Sequence, residues 1–150
     1  HVAEVSNFLA AHLRYRNPQL SGADQDRYYA EIAVVAERLG ARDVPKSRQA
    51  VADYLQRMRP QLLCDGRSRE VLRLLLAAPA PSVLARPFGD LMMKAGIDLL
   101  PDWASDMLEV RLSSLQRQLI RASVRRSAPM LRWAMRNGSV QRAKRRMGLS

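Results

Sequence analysis

Acidic residues stop at Glu109. From Val110 to Ser150 the chain carries eleven Lys or Arg and no Asp or Glu, whereas residues 1–109 carry fourteen of each sign, so the net charge of +11 belongs to the C-terminal stretch alone. Cysteine is nearly absent too. Cys64 has no second thiol in the chain for a disulfide, and no Cys-x-x-Cys-His occurs, which excludes covalent c-type haem attachment. The bland reading of Cys64 is an ordinary, partly buried thiol. Apolar runs reach only a few residues, too short for a membrane-spanning helix, and no basic, apolar and small-residue leader opens the sequence. No stretch alternates apolar and polar residues over four or more positions, so no strand is expected. His-Glu-x-x-His, Gly-x-Ser-x-Gly and phosphate-binding glycine loops are all missing, which leaves hydrolase and nucleotide-enzyme readings without local support.

What is present is helical periodicity. Hydrophobic residues make up 47% of the 150, enough to bury the core of one ordinary domain and to argue against disorder throughout. Val2, Val5, Phe8, Leu9 and Leu13 recur at steps of three and four and gather on one face of a helix over 1–15, which Asn17-Pro18 ends. His1 lies within about 40° of Val5 on that wheel, so an imidazole opens the apolar side. A helix beginning this abruptly suggests the later part of a longer protein. Ser21 is a good cap for a second helix over 22–39, with Tyr28, Ile32, Val35 and Leu39 on its inner face, Tyr29 and Ala33 widening it, and Gly40 as terminator. Ser47 caps a third, whose inner positions are Val51, Tyr54, Leu55 and Met58.

A short extended link over 61–66 leads to a fourth helix beginning at Ser68 or Arg69. Pro79, Pro81 and Pro87 predict a bend before Phe88. The fifth helix, over 88–100, has so little polar surface that it is expected to be the most enclosed element. Pro101 in a first turn starts a short sixth helix through Trp103 and Met107. Beyond it, Leu112, Leu115, Leu119 and Ile120 line one face and Arg117, Arg121 and Arg125 another, an amphipathic basic helix interrupted near Pro129. Met130, Leu131, Trp133 and Ala134 continue the apolar surface until Asn137-Gly138, and the last dozen residues are expected to fray. Asp98, Asp102 and Asp106 recur every four residues, but Pro101 breaks their register, and they read as capping and solvated acids. Met92 and Met93 read as packing material.

A resemblance sharpens this. The run His1-Val-Ala-Glu-Val-Ser-Asn-Phe-Leu, then Leu13-Arg-Tyr-Arg-Asn-Pro, Asp24-Gln-Asp-Arg-Tyr-Tyr-Ala-Glu, Leu39-Gly-Ala with Val44-Pro45, Met58-Arg-Pro and Leu99-Leu-Pro-Asp-Trp-Ala resembles the C-terminal half of the MpaB-type oxygenases, the family of the latex-clearing rubber oxygenases. The resemblance runs along nearly the whole chain in the same order. It implies an all-α fold holding a b-type haem, with His1 at the place of an axial iron ligand. The family's other pocket residues, an Arg and a Thr with a nearby Lys, lie upstream of that histidine and match no position here. The implied chemistry is dioxygen activation at haem iron and oxidative attack on a small apolar substrate. Glu4, three residues on, could reach the His1 ring as a supporting partner, and Val5 and Phe8 would wall the pocket. His12 is nearly on the same face, but at 1.5 Å rise per residue it lies roughly 16 Å along the axis from His1, too far to share a metal.

The expectation is therefore an all-α domain of six or seven helices, an orthogonal bundle, with a helical core over 1–109 and a basic amphipathic tail over 110–150. The tail has three readings. Its leucines can pack on the domain with the arginines in water, it can lie on an anionic membrane surface, or it can bind phosphate backbones. Nucleic acid is the weakest, because no recognition helix or aromatic stacking set accompanies the charge. The protein is expected to be cytoplasmic, peripheral at a membrane if the tail engages one. The apolar stripe of the first helix is a surface through which two copies could pair. The rival to an oxygenase is a non-catalytic helical protein that binds a partner or an anionic surface through 110–150.

Overall fold

The computed structural model describes residues 1–78, 86–134 and 139–148. Among these the regular structure is entirely helical, as expected: α1 (Val2–Tyr15), α2 (Gly22–Arg38), α3 (Arg48–Met58), a 3-10 turn (Arg59–Gln61), α4 (Gly66–Leu76), α5 (Arg86–Leu99), α6 (Asp102–Met107), α7 (Ser114–Ala134) and α8 (Ser139–Arg146). The chain forms two compact units, one from His1–Ala78 with Leu99–Arg111 and the other from Pro79–Asp98 with Leu112–Ser150.

The first unit is built on α1, α2 and α3. Val5 and Leu9 of α1, Tyr29 of α2 and Val51 of α3 form its buried cluster, and Val2, Leu13, Leu20, Tyr28, Ile32 and Leu55 pack against it. The Tyr28 and Tyr29 rings meet edge to face at 5.4 Å. The starts of α2, α3 and α4 are each satisfied by a side chain, which replaces a bond the first turn cannot make for itself. The Ser21 hydroxyl accepts from the Asp24 N–H at 3.1 Å and donates to the Asp24 carboxylate at 2.6 Å. The Ser47 hydroxyl accepts from the Ala50 N–H, and the Asp65 carboxylate from the Ser68 N–H. Asp65 therefore starts α4 at Gly66, two residues ahead of the expected Ser68. Gly40, at φ +94°, closes α2 in the left-handed region that a side chain would resist.

Asp26 joins α2 to α3. Its carboxylate accepts from the Arg48 backbone N–H at 2.8 Å and from the Arg48 Nε at 3.0 Å. These two bonds, the side-chain one first, hold Asp26 below the usual carboxylate range. Gly22 makes room for this arrangement, since a Cβ there would stand 2.5 Å from the Arg48 guanidinium.

Several expectations need correction. The buried face of α2 is Tyr29, Ala33 and Ala36, while Val35 is half exposed and Leu39, past the helix end, is 84% exposed. The inner stripe is thus shifted by about one residue, with Tyr29 packed against Val5, Leu9 and Val51. Helix α5 is not the most enclosed element: it buries Ala95 and Asp98, while Phe88 and Met93 remain over a third exposed. Pro101 caps α6 from outside rather than occupying its first turn. Helix α7 runs unbroken through Pro129. Proline there removes one N–H, which leaves the Arg125 carbonyl without its helical donor, and Arg125 is exposed, so water can serve it. The expected frayed end contains α8, the eighth helix where six or seven were expected. The bend at Pro79–Pro81 and the stop at Asn137-Gly138 lie outside the described residues.

The largest correction concerns Asp98. It is not a solvated acid but 1% exposed. Arg121 of α7 grips it with two bonds, Nε to Oδ2 at 2.8 Å and Nη2 to Oδ1 at 3.0 Å, and Arg117 stands at 3.8 Å. The pair reorients α7. Ile120 and Val124 are buried alongside Arg117 and Arg121, whereas Leu115 and Leu119, expected inside, are exposed by more than 60%. A buried carboxylate must be paired, and this requirement outweighs the leucines' preference for burial.

Replacing Arg121 by Ala leaves a desolvated carboxylate with the more distant Arg117 among its partners and is expected to cost about 3 kcal/mol in urea unfolding. Arg121→Lys should recover part of that but not the two-pronged geometry. A second prediction concerns pH. Because the folded pKa of Asp26 is lowered, its contribution is present above the unfolded carboxylate value of about 3.9 and is lost as pH falls through the lower folded value. The stability gap between wild type and Asp26→Asn, read by thermal unfolding, should be present at neutral pH and close in strong acid.

Candidate functional site on the first helix

The residues singled out for chemistry all stand on α1. His1 is its N-terminal cap by position: the His1 carbonyl accepts from the Val5 N–H at 2.9 Å, and the imidazole makes no capping bond. The ring is at the exposed end of the helix. Phe8, two turns further on, is 61% exposed. Seven residues at 100° each bring it within about 20° of His1 around the axis, so the imidazole and the phenyl ring share a face. His12 continues that face and is exposed. Val5 is different. At 5% exposure it belongs to the core shared with Tyr29 and Val51.

Tyr28 sets the facing of α1. Its hydroxyl donates to the Val5 carbonyl at 3.2 Å, a bond from α2 to a backbone oxygen on α1. Burial, and after it the negative charge of Glu4, pushes the Tyr28 phenol above its ordinary value, which keeps it a proton donor across the neutral range. Glu4 itself is exposed, and its carboxylate makes no hydrogen bond to the His1 ring. Sequence reasoning placed Tyr28 on the inner face of α2 but did not foresee this bond, since nothing local to residue 28 names residue 5 as its acceptor.

Two open hollows lie elsewhere. One of about 480 Å³ is lined in the first unit by Leu72, Leu76 and Ala77 of the α4 end, Leu108, and the paired Arg69 and Glu109. The other, about 490 Å³, lies along α8 between Arg142 and Arg146. Neither includes His1. Among the described residues no three His, Cys, Asp or Glu side chains cluster in a way that could hold a metal ion by themselves. No helix of the described residues is long and apolar enough to cross a membrane.

The family model described as ER-bound oxygenase mpaB/B'/Rubber oxygenase, catalytic domain, matches residues 1–133, and the chain belongs to that family. No curated protein and no solved structure matches it.

The two sides of α1 should respond differently to substitution. Leu9→Ala, inside the core, is expected to lose about 3 kcal/mol of stability and Tyr28→Phe about 1 kcal/mol, whereas Phe8→Ala should change it by less than about 0.5 kcal/mol. Urea unfolding followed by circular dichroism reads all three.

Proposed function

We propose that the protein is a haem b-dependent oxygenase that acts with dioxygen on a small apolar substrate, and that His1 is an axial ligand of its haem. The family match over 1–133 carries the reading, because it extends across both the histidine helix and α5–α7. Haem b, when bound, supplies the dioxygen activation and oxidative attack that side chains alone do not provide.

The residues present fit such a group on one side. His1 offers an exposed imidazole nitrogen, the donor that haem iron accepts, and Phe8 an exposed apolar ring on the same face. Val5, expected to wall the pocket, instead anchors the helix that carries them. Tyr28 contributes by position: its bond to the Val5 carbonyl fixes the rotation of α1 and so the direction in which the imidazole leaves the helix.

Titrating haem into the purified protein should give a Soret band that shifts on binding. His1→Ala is expected to abolish that shift and His12→Ala to leave it. Identical spectra for wild type and His1→Ala would remove His1 from the proposal. Dioxygen uptake driven by an unsaturated hydrocarbon, measured on the haem-loaded protein, tests the reaction separately.

A further inference from the structure

Helix α7 is apolar on two sides, and only one is buried. Ile120 and Val124 are buried with Arg117 and Arg121 beside them, as described above. On the other side Leu115, Leu119 and Met130 are 62–66% exposed, and Trp133 is 64% exposed. At 100° per residue these four positions fall within about 60° of one another, a stripe roughly 27 Å long from end to end. Ala122, also exposed, lies between them. Arg126 stands in the middle of the stripe and Arg125 about 80° beyond its edge, both exposed. Downstream, Arg142, Lys144, Arg145 and Arg146 of α8 are exposed, and no acid occurs anywhere from 110 to 150.

We propose that this outer face of α7 docks on an anionic lipid surface. Charge decides among the occupants. A second copy of the same face would set Arg126 against its own counterpart with no acid from 110 to 150 to neutralise it. A shape-matched protein partner would have to bury Arg126 amid leucines, a costly arrangement without a dedicated carboxylate. At a lipid surface the Arg126 stem lies along the apolar stripe while its guanidinium rises to a phosphate, and Leu115, Leu119 and Met130 enter the acyl boundary. The exposed cations of α8 add attraction to the same headgroups. A lone convex stripe without a groove suits a fluid surface better than a moulded one.

The test uses the whole chain carrying Trp103→Phe, which leaves Trp133 as the sole tryptophan, with phosphatidylcholine vesicles and with vesicles in which about a third of the lipid is phosphatidylserine. Sedimentation with the anionic vesicles only, together with a blue shift of Trp133 emission, is expected. The triple variant Leu115→Ser, Leu119→Ser, Met130→Ser and the double variant Arg125→Glu, Arg126→Glu should each weaken binding by about tenfold or more. All these positions are exposed, and unchanged helical circular dichroism confirms that the variants fold. Three results would overturn the proposal: no vesicle binding, anionic binding that the triple variant leaves intact without a blue shift, or a concentration-dependent dimer that the triple variant dissociates.

Discussion

Everything proposed for α1 depends on its being held by one side only. Val5 and Leu9 sink into the cluster with Tyr29 and Val51, and the Tyr28 hydroxyl reaches the Val5 carbonyl, so the helix can neither roll nor slide without losing a buried contact or a hydrogen bond. The flank beside that stripe, about 60° round the axis, faces outward. His1, Phe8 and His12 occupy that flank, at intervals of seven and eleven residues from the first, and all three are exposed. A helix with a single buried stripe thus becomes a bracket: the core fixes its rotation, and the rotation fixes the imidazole.

The second unit follows another rule. There a charge, not a leucine, selects the inward face of α7. Asp98 is fully enclosed, and Arg121 matches its two oxygens with two nitrogens. Burying one leucine more would gain roughly 2 kcal/mol, while leaving a carboxylate desolvated and unpaired costs more. The helix accordingly turns Arg121 in and lets Leu115 and Leu119 out, and the exposed apolar stripe on α7 is a by-product of satisfying Asp98.

Much of the fold was legible in the sequence. Helix starts at Ser21 and Ser47 and the stop at Gly40 are local signals, and the structure uses each of them as read. The family, too, was recognisable from short runs such as Leu99-Leu-Pro-Asp-Trp-Ala. What local patterns missed was long-range. A hydrophobic wheel cannot foresee that Asp98 will meet Arg121 twenty-three positions later, nor that Tyr29 will sink deeper than Tyr28 against Val5 and Val51. Periodicity also overstated Pro129, because a proline whose orphaned carbonyl reaches water does not break a helix held by neighbours. For the candidate site, the position of His1 and the burial of Val5 were legible, while the exposure of Phe8 was not, since the wheel placed all three on one side without saying where the side ends.

The grip of Arg121 on Asp98 also means that the change of composition after Glu109 is not a cut line. The acid that pairs with Arg121 sits before that line, in α5. A peptide spanning 110–150, released by proteolysis or made alone, would leave its counter-ion behind, and with it the reason for Ile120 and Val124 to stay hidden. Freed from Asp98, the segment would repel itself more strongly and hold its helix less well, so it is a dependent limb rather than a transplantable module.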